Sequence, residues 1–386
     1  MNDWKWVKLS EIIDFNPKER LLKGSISKKI AMEKIEPFTR DISEFERLEF
    51  KGGTKFRNGD TLIARITPSL ENGKTAKVNL LDEDEIGFGS TEFIVARAKK
   101  GISDENFVYY LMLDPKVREV AIKSMVGTSG RQRVQLDVVQ NYEILCPPLE
   151  EQIQIGRILS VIDDKIENNK KINHHLAELI DAQFAHLLED NELYKSTFSE
   201  IGEIVGGGTP SKKEDDYWNG DIPWLSPKDL SLNPAMFTGR GQNSITELGY
   251  KKSSAKLMPR NSILFSSRAP IGYITIAEND ISTNQGFKSI IPKPEYPYTF
   301  VYELLKQETP SLESSASGST FKEVSGTHLK NHEIRIPPHS AIIKFHESVE
   351  PLFKTINLNE KEIQKLIEVR DLLLPTLMSG EISVSD

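Results

Sequence analysis

Cysteine is almost absent from this chain. Cys146 stands alone in 386 residues, so neither an internal disulfide nor a cysteine metal cluster can form. That suits a reducing compartment, and the expected location is cytoplasmic. Long apolar runs are missing too: none approaches the roughly 18 residues of a membrane-spanning helix, and Met1-Asn2-Asp3-Trp4-Lys5-Trp6 lacks the apolar centre of a signal peptide. A soluble chain with no membrane partner is expected.

An excess of positive charge is also lacking. The formal net charge of -8 argues superficially against nucleic acid, because phosphate neutralisation drives much of that binding. Its distribution changes the argument. Residues 1–146 hold 24 Lys/Arg against 23 Asp/Glu and residues 194–336 hold 16 against 16, whereas residues 147–193 carry 4 against 10 and residues 337–386 carry 5 against 8. Bulk charge therefore neither requires nor excludes DNA binding by the two near-neutral parts, and a partner can supply part of a basic surface.

Catalytic signatures fail where they can be tested. Asn72-Gly73-Lys74-Thr75 ends like a phosphate loop, but its first glycine is required at position 68, where Pro68 stands. Gly87-Phe88-Gly89 has Glu92 in place of the third glycine of a dinucleotide loop. His328 and His332 have the spacing of a zinc helix, but no Glu follows His328 and no further ligand set converges in sequence, so solvated or capping histidines are expected. No Asn-Pro-Pro-aromatic segment of amino-methyltransferases and no acidic-lysine nuclease cluster is found. A Ser-His-Asp arrangement stays open on sequence alone, but nothing points to one.

What is present is a duplication. Residues 8–190 recur at 197–378, and the offset of 190 holds without a gap from Val134/Val324 through Leu187/Leu377. It pairs Asn141 with Asn331, Pro147-Pro148 with Pro337-Pro338, Asn169 with Asn359 and Asp181 with Asp371. The unit is far longer than a solenoid repeat. Two similar halves on one chain suit the reading of two similar objects.

Each half reads as mixed α/β. Asp60–Ile66, Glu92–Ala96 and Ser262–Ser267 are short and β-rich, whereas Glu105–Lys123 and Tyr298–Gln307 favour helices. After each Pro-Pro pair the texture changes: Leu149–Leu188 has no proline and only Gly156, and positions 159, 162, 166, 169, 173, 176, 180 and 187 carry Leu, Ile, Ile, Asn, Asn, Leu, Ile and Leu. The second copy repeats this at 349, 352, 356, 359, 363, 366, 373 and 377, with Arg370 interrupting. Two helices of about 40 residues, about 60 Å long, are expected to bury their seams against each other in an antiparallel coiled coil. Asn169 and Asn359 are then expected to face one another and fix the register; packing of each helix on its own domain is the alternative. The expected division is 1–146 and 194–336 as globular halves, 147–193 as a long central helix, and 337–386 as a long C-terminal helix and tail, an α+β pseudo-two-fold repeat.

Longer strings carry a resemblance. Gly206-Gly207-Gly208-Thr209-Pro210-Ser211-Lys212, Tyr217–Ser226, Ser266-Ser267-Arg268-Ala269-Pro270-Ile271-Gly272 and Ser282-Thr283-Asn284-Gln285-Gly286-Phe287-Lys288 occur in order in the second half. Asn58–Arg65, Glu71-Asn72-Gly73-Lys74 and Gly89-Ser90-Thr91-Glu92-Phe93 stand at corresponding places in the first, and the chain closes on Leu372–Ile382. Together they resemble the specificity subunits of type I restriction-modification systems, across essentially the whole chain. The first half departs from the pattern: Asp14-Phe15-Asn16-Pro17-Lys18 stands where the Gly-Gly-Thr-Pro string belongs, which weakens any transfer of contacts at that loop.

The resemblance implies two target-recognition domains, each reading one part of a split, asymmetric double-stranded DNA target. The paired helices would set the unspecified gap and dock two modification subunits, with restriction subunits joining for cleavage. It implies a chain that is not an enzyme by itself and holds no cofactor; S-adenosylmethionine, ATP and magnesium belong to those partners. Candidate DNA-contacting residues follow from their chemistry. Arg65 and Arg268, at matching strand ends, can fork onto guanine or clamp a phosphate, and Asn284 and Gln285 can pair with adenine. Asn72, Lys74, Lys288, Thr209, Lys212 and Ser267 lie in the motif strings, while Arg131, Arg133 and Lys322 end the corresponding small-polar loops 127–133 and 317–322. Salt bridges, turn-stabilising amides and mobile linkers are the structural alternatives. Trp218 and Trp224 are assigned to packing. A non-catalytic protein–protein adaptor, with two binding domains spaced by a coiled coil, fits the duplication and helices equally; a fused enzyme with a cryptic active site is a third reading.

Overall fold

The computed structural model describes residues 3–268, 270–316, 322–382 and 384. Two compact units emerge, Met1–Asn168 with Ile363–Asp386, and Asn169–Glu362. Each takes part of the central helix Leu149–Glu189 and part of the C-terminal helix His339–Ser379. Among the described residues no helix is long and apolar enough to cross a membrane.

The first unit holds two four-stranded sheets. One orders Ile13–Phe15, Phe93–Ala98, Thr61–Ala64 and Thr75–Lys77, all antiparallel. The other orders Glu46–Glu49, Ile26–Ile30, Gly87–Gly89 and Thr54–Phe56, with the Ile26–Ile30 and Gly87–Gly89 strands parallel. The helical stretch expected over 105–123 is cut in two, Glu105–Leu113 and Pro115–Lys123. Pro115 drives Asp114 out of helical geometry, and the Asp114 carboxylate caps the new start by accepting from the Lys116 N–H at 2.8 Å.

The second unit repeats the plan with longer strands. A five-stranded sheet orders Gly202–Gly206, Lys288–Pro292, Ile263–Ser267, Ile271–Ala277 and Phe237–Thr238; a four-stranded sheet orders Asn243–Ile245, Trp218–Leu225, Ile281–Thr283 and Leu257–Met258. A two-stranded antiparallel ribbon joins the ends of each globular part, Lys5–Lys8 with Glu143–Cys146 and Tyr194–Thr197 with Glu333–Ile336. The expected helix at 298–307 continues to Ser314.

Both cores use the same device. Phe107, Val108, Tyr109 and Tyr110 are buried with Ile155, Leu159, Leu374 and Leu377 in the first unit; Phe300, Val301 and Tyr302 are buried with Ile180, Phe184, Phe345 and Phe353 in the second. Each long helix thus contributes apolar residues to the cores of both units, Ile155 and Ile180 from the central helix and Leu374 and Phe353 from the C-terminal one, rather than packing only on the domain it follows. Within the second unit the helix segments run antiparallel, since Asn169 meets Glu362, Asn173 meets Asn359 and Gln183 meets Ser348.

The expected direct pairing of the two repeat asparagines is corrected. Asn169 Nδ2 donates to Glu362 Oε2 at 2.7 Å, and Asn359 Nδ2 donates to Asn173 Oδ1 at 2.8 Å. Two staggered bonds replace one symmetric pair because neighbouring polar side chains on the facing helix reach each amide first. In the first unit, Arg370 does not merely interrupt the seam. It is buried on Asp163, with Nη1 to Oδ1 at 2.9 Å, and Asp163 also accepts from the Tyr110 hydroxyl at 2.6 Å.

Candidate nucleic-acid interface

A cleft of 440 Å³ opens in the second unit, its three walls drawn from five stretches of sequence, at 212, 224–229, 242–243, 268 and 284–286. The first wall begins with the glycine string. Trp224 donates its indole N–H to the Gly208 carbonyl at 2.9 Å, and Trp218, edge-on to it at 5.2 Å, donates to the Ser211 carbonyl at 3.1 Å. Both tryptophans therefore brace the loop, and Trp224 also lines the cleft. At Gly207 a Cβ would lie 2.0 Å from the Asn284 carbonyl oxygen, so only glycine lets the loop approach that turn. This docking brings Lys212 to the cleft.

The second wall is a capping box. Asp229 Oδ2 accepts from the Ser226 N–H and from its hydroxyl, both at 2.7 Å, while Oδ1 accepts from the Gln242 N–H at 3.0 Å. One carboxylate thereby ties the start of helix Pro227–Leu232 to segment 241–243, so Ser226, Lys228, Gln242 and Asn243 line the same space. The third wall carries Arg268, Asn284 and Gly286. Asn284 Oδ1 accepts from the Gly286 N–H at 2.8 Å, which fixes the carboxamide and leaves its Nδ2 donors. Cations and amides on rigid walls are the chemistry that grips phosphate and reads base edges.

Of the sequence candidates, the cleft gathers Lys212, Arg268 and Asn284. Thr209 and Gln285 are hydrogen-bonded to each other. Lys288 donates to the Gln285 carbonyl at 3.2 Å and lies 3.4 Å from Glu323. Lys322 is exposed; Ser317–Phe321 of its loop fall outside the described residues. Ser267 is a correction: fully buried, it donates its hydroxyl to the Gly286 carbonyl at 3.0 Å and serves the fold. Sequence reasoning missed Ser226, Lys228, Gln242 and Asn243. The Ser-Pro-Lys-Asp capping pattern was the available signal for the first two.

The first unit carries the other candidates. Arg133 forks onto Glu92, with Nη2 to Oε1 at 2.6 Å and Nε to Oε2 at 3.0 Å, and holds that carboxyl below its usual range. Arg131 and Asn72 are exposed. Lys74 is a correction, because it turns inward and donates to the Met32 carbonyl at 2.8 Å; the adjacent Gly73 has φ 80°, and a Cβ there would strike the Phe38 ring at 2.5 Å. The expected matching of Arg65 with Arg268 shifts by one residue. Val134 donates to the Arg65 carbonyl at 2.9 Å and Val324 donates to that of Ser267 at 3.0 Å, so Arg65 corresponds to Ser267 and Ile66 to Arg268.

Comparison with known proteins agrees with this duplicated plan. A family model described as the type I restriction modification DNA specificity domain matches twice, at residues 1–178 and 191–368. The chain is similar to the type I restriction enzyme MjaIX specificity subunit of Methanocaldococcus jannaschii, 42% identical over 171 residues, covering 44% of this chain and 39% of that protein. It is 26% identical to the HindI specificity subunit of Haemophilus influenzae, covering 89% and 90% of the two chains. The crystal structure of a type I restriction-modification S subunit from M. genitalium shares the fold, with a TM-score of 0.61, 16% identity and coverage of 97% and 96%.

Proposed function

Since this chain belongs to the type I restriction-modification DNA specificity family, with a family domain in each half, we propose that it is the non-catalytic DNA-reading subunit of a modification and restriction complex. Each globular half reads one part of a split, asymmetric target. The paired helices set the gap between the parts and dock two modification subunits, and restriction subunits join the full assembly. S-adenosylmethionine, ATP and magnesium are held by those partners.

The observation that carries this reading is the second-unit cleft, where Lys212, Lys228 and Arg268 converge with the amides of Gln242, Asn243 and Asn284. Lysines suit phosphate, while an arginine and carboxamides suit guanine and adenine edges. Near-neutral reading parts also make sense for a chain that binds DNA within a complex, where partners add basic surface.

The test is co-expression with a modification subunit encoded beside this chain, followed by genome-wide mapping of methylated adenines. A two-part motif with a fixed gap is expected. A stable complex that methylates no defined motif would instead favour the protein–protein adaptor.

A further inference from the structure

Position 133 and its repeat counterpart 323 carry opposite charges at the same place in the two folds. Each immediately precedes the valine whose N–H bonds to the strand end, Val134 to Arg65 and Val324 to Ser267. In the first unit this place holds Arg133, anchored on Glu92. In the second it holds Glu323, whose oxygens serve two cations: Oε2 lies 3.7 Å from Arg268 Nη1, and Oε1 lies 3.4 Å from Lys288 Nζ. Arg268 lines the cleft, whereas Glu323, its ion-pair partner, is not among the lining residues.

We propose that Glu323 is a positioning residue for base recognition, anchoring Arg268 so that the rest of its guanidinium is aimed into the cleft. The inference rests on the DNA-reading function proposed above. An arginine reads guanine only when its planar donors are aligned with O6 and N7, and a half-exposed side chain otherwise samples many rotamers. A carboxylate on one side removes much of that freedom before DNA arrives. It also cancels part of the local positive charge, which weakens indiscriminate attraction to phosphate. Glu323 thus gains directionality at the expense of sequence-independent binding. In the first unit the polarity is inverted, with the loop supplying the arginine and the strand side supplying the anchor. Equivalent frames thereby carry their ion-paired arginines on different elements.

The experiment uses the full chain assembled with its modification subunit, as wild type, Glu323→Gln, Glu323→Asp and Arg268→Gln. Methylated motifs are mapped, and binding to cognate and scrambled duplexes is measured across a salt series. Glu323→Gln is expected to loosen one position of the half-site read by residues 194–336 and to lower the cognate-to-scrambled ratio by roughly five- to a hundredfold. Affinity for the scrambled duplex is expected to rise, with a salt slope steeper by up to about 0.9. Glu323→Asp should restore most of the ratio, and Arg268→Gln should lose preference at the same position without the gain in scrambled binding. An unchanged ratio in Glu323→Gln, or cognate and scrambled affinities falling together, overturns the positioning role. Failure of the wild-type complex to select any split motif overturns the proposed function itself.

Discussion

Glu303 lies in the helix Tyr298–Ser314, almost wholly buried, with Oε1 lacking a hydrogen-bond partner. Burial pushes its pKa up to about 8, with Lys306 opposing the shift and Asp181 adding to it. The folded value therefore exceeds the unfolded value of about 4.3, and Glu303 favours the folded state only while protonated. Its contribution is fully present below the unfolded value and is lost as pH rises through about 8. Glu303→Gln keeps the shape without the ionisation. Thermal melts should show a shallower loss of stability between about pH 5 and pH 8, with the variant melting above wild type at the upper end. Parallel pH profiles would remove Glu303 as their cause. This behaviour was not legible in the sequence, where a glutamate in an amphipathic helix reads as a solvent-facing residue. The same difficulty affected Ser267 and Lys74, whose types fit DNA contact but whose side chains are held by Gly286 and Met32. Lys212, Arg268 and Asn284 were legible because their glycine-bounded strings marked tight loops, though not that three loops meet at one cleft.

The long helices were readable as elements because their three-four periodicity persists for about ten turns, whereas the polar exceptions along them were not. The predicted seam placed Ile162 inward, but Asp163 is the buried neighbour, 2% exposed, with Arg370 at 6%. At the offset of 190 their counterparts are Phe353 and Ile180, both fully buried in an apolar cluster. One half of the frame thus closes on an ion pair and the other on hydrocarbon. Removing one charge should be far worse than removing both, because an uncompensated buried charge costs about 3–5 kcal/mol. Arg370→Ile is expected to destabilise the chain by about that amount. Asp163→Phe combined with Arg370→Ile should recover most of it, as the second unit already packs this pair of side chains. Urea denaturation of wild type, both single variants and the double variant measures the coupling. Additive losses would show that the two residues act separately.

At the scale of the whole molecule, the repeat is unequal: the long helices keep their register while the parts between them diverge in strand length, loops and charge placement. Each globular part has its own ribbon, Lys5–Lys8 with Glu143–Cys146 or Tyr194–Thr197 with Glu333–Ile336, and its own sheets. This local closure makes a reader exchangeable, within one constraint. The second reader's Phe300 and Val301 share a core with Ile180 and Phe184 of the central helix and with Phe345 and Phe353 of the C-terminal helix, so a graft must preserve that apolar match. Replacing residues 194–336 with the corresponding segment of another family member, chosen to keep those contacts, should change one half of the methylated motif while leaving the other half and the gap intact. The grafted chain should form a complex with the same modification subunit, because the exchanged segment leaves both long helices untouched. Motif mapping distinguishes the outcomes. Simultaneous change of both half-sites would mean that recognition is shared between the globular parts, and altered spacing with unchanged bases would mean that the graft disturbs the helical frame rather than the reader.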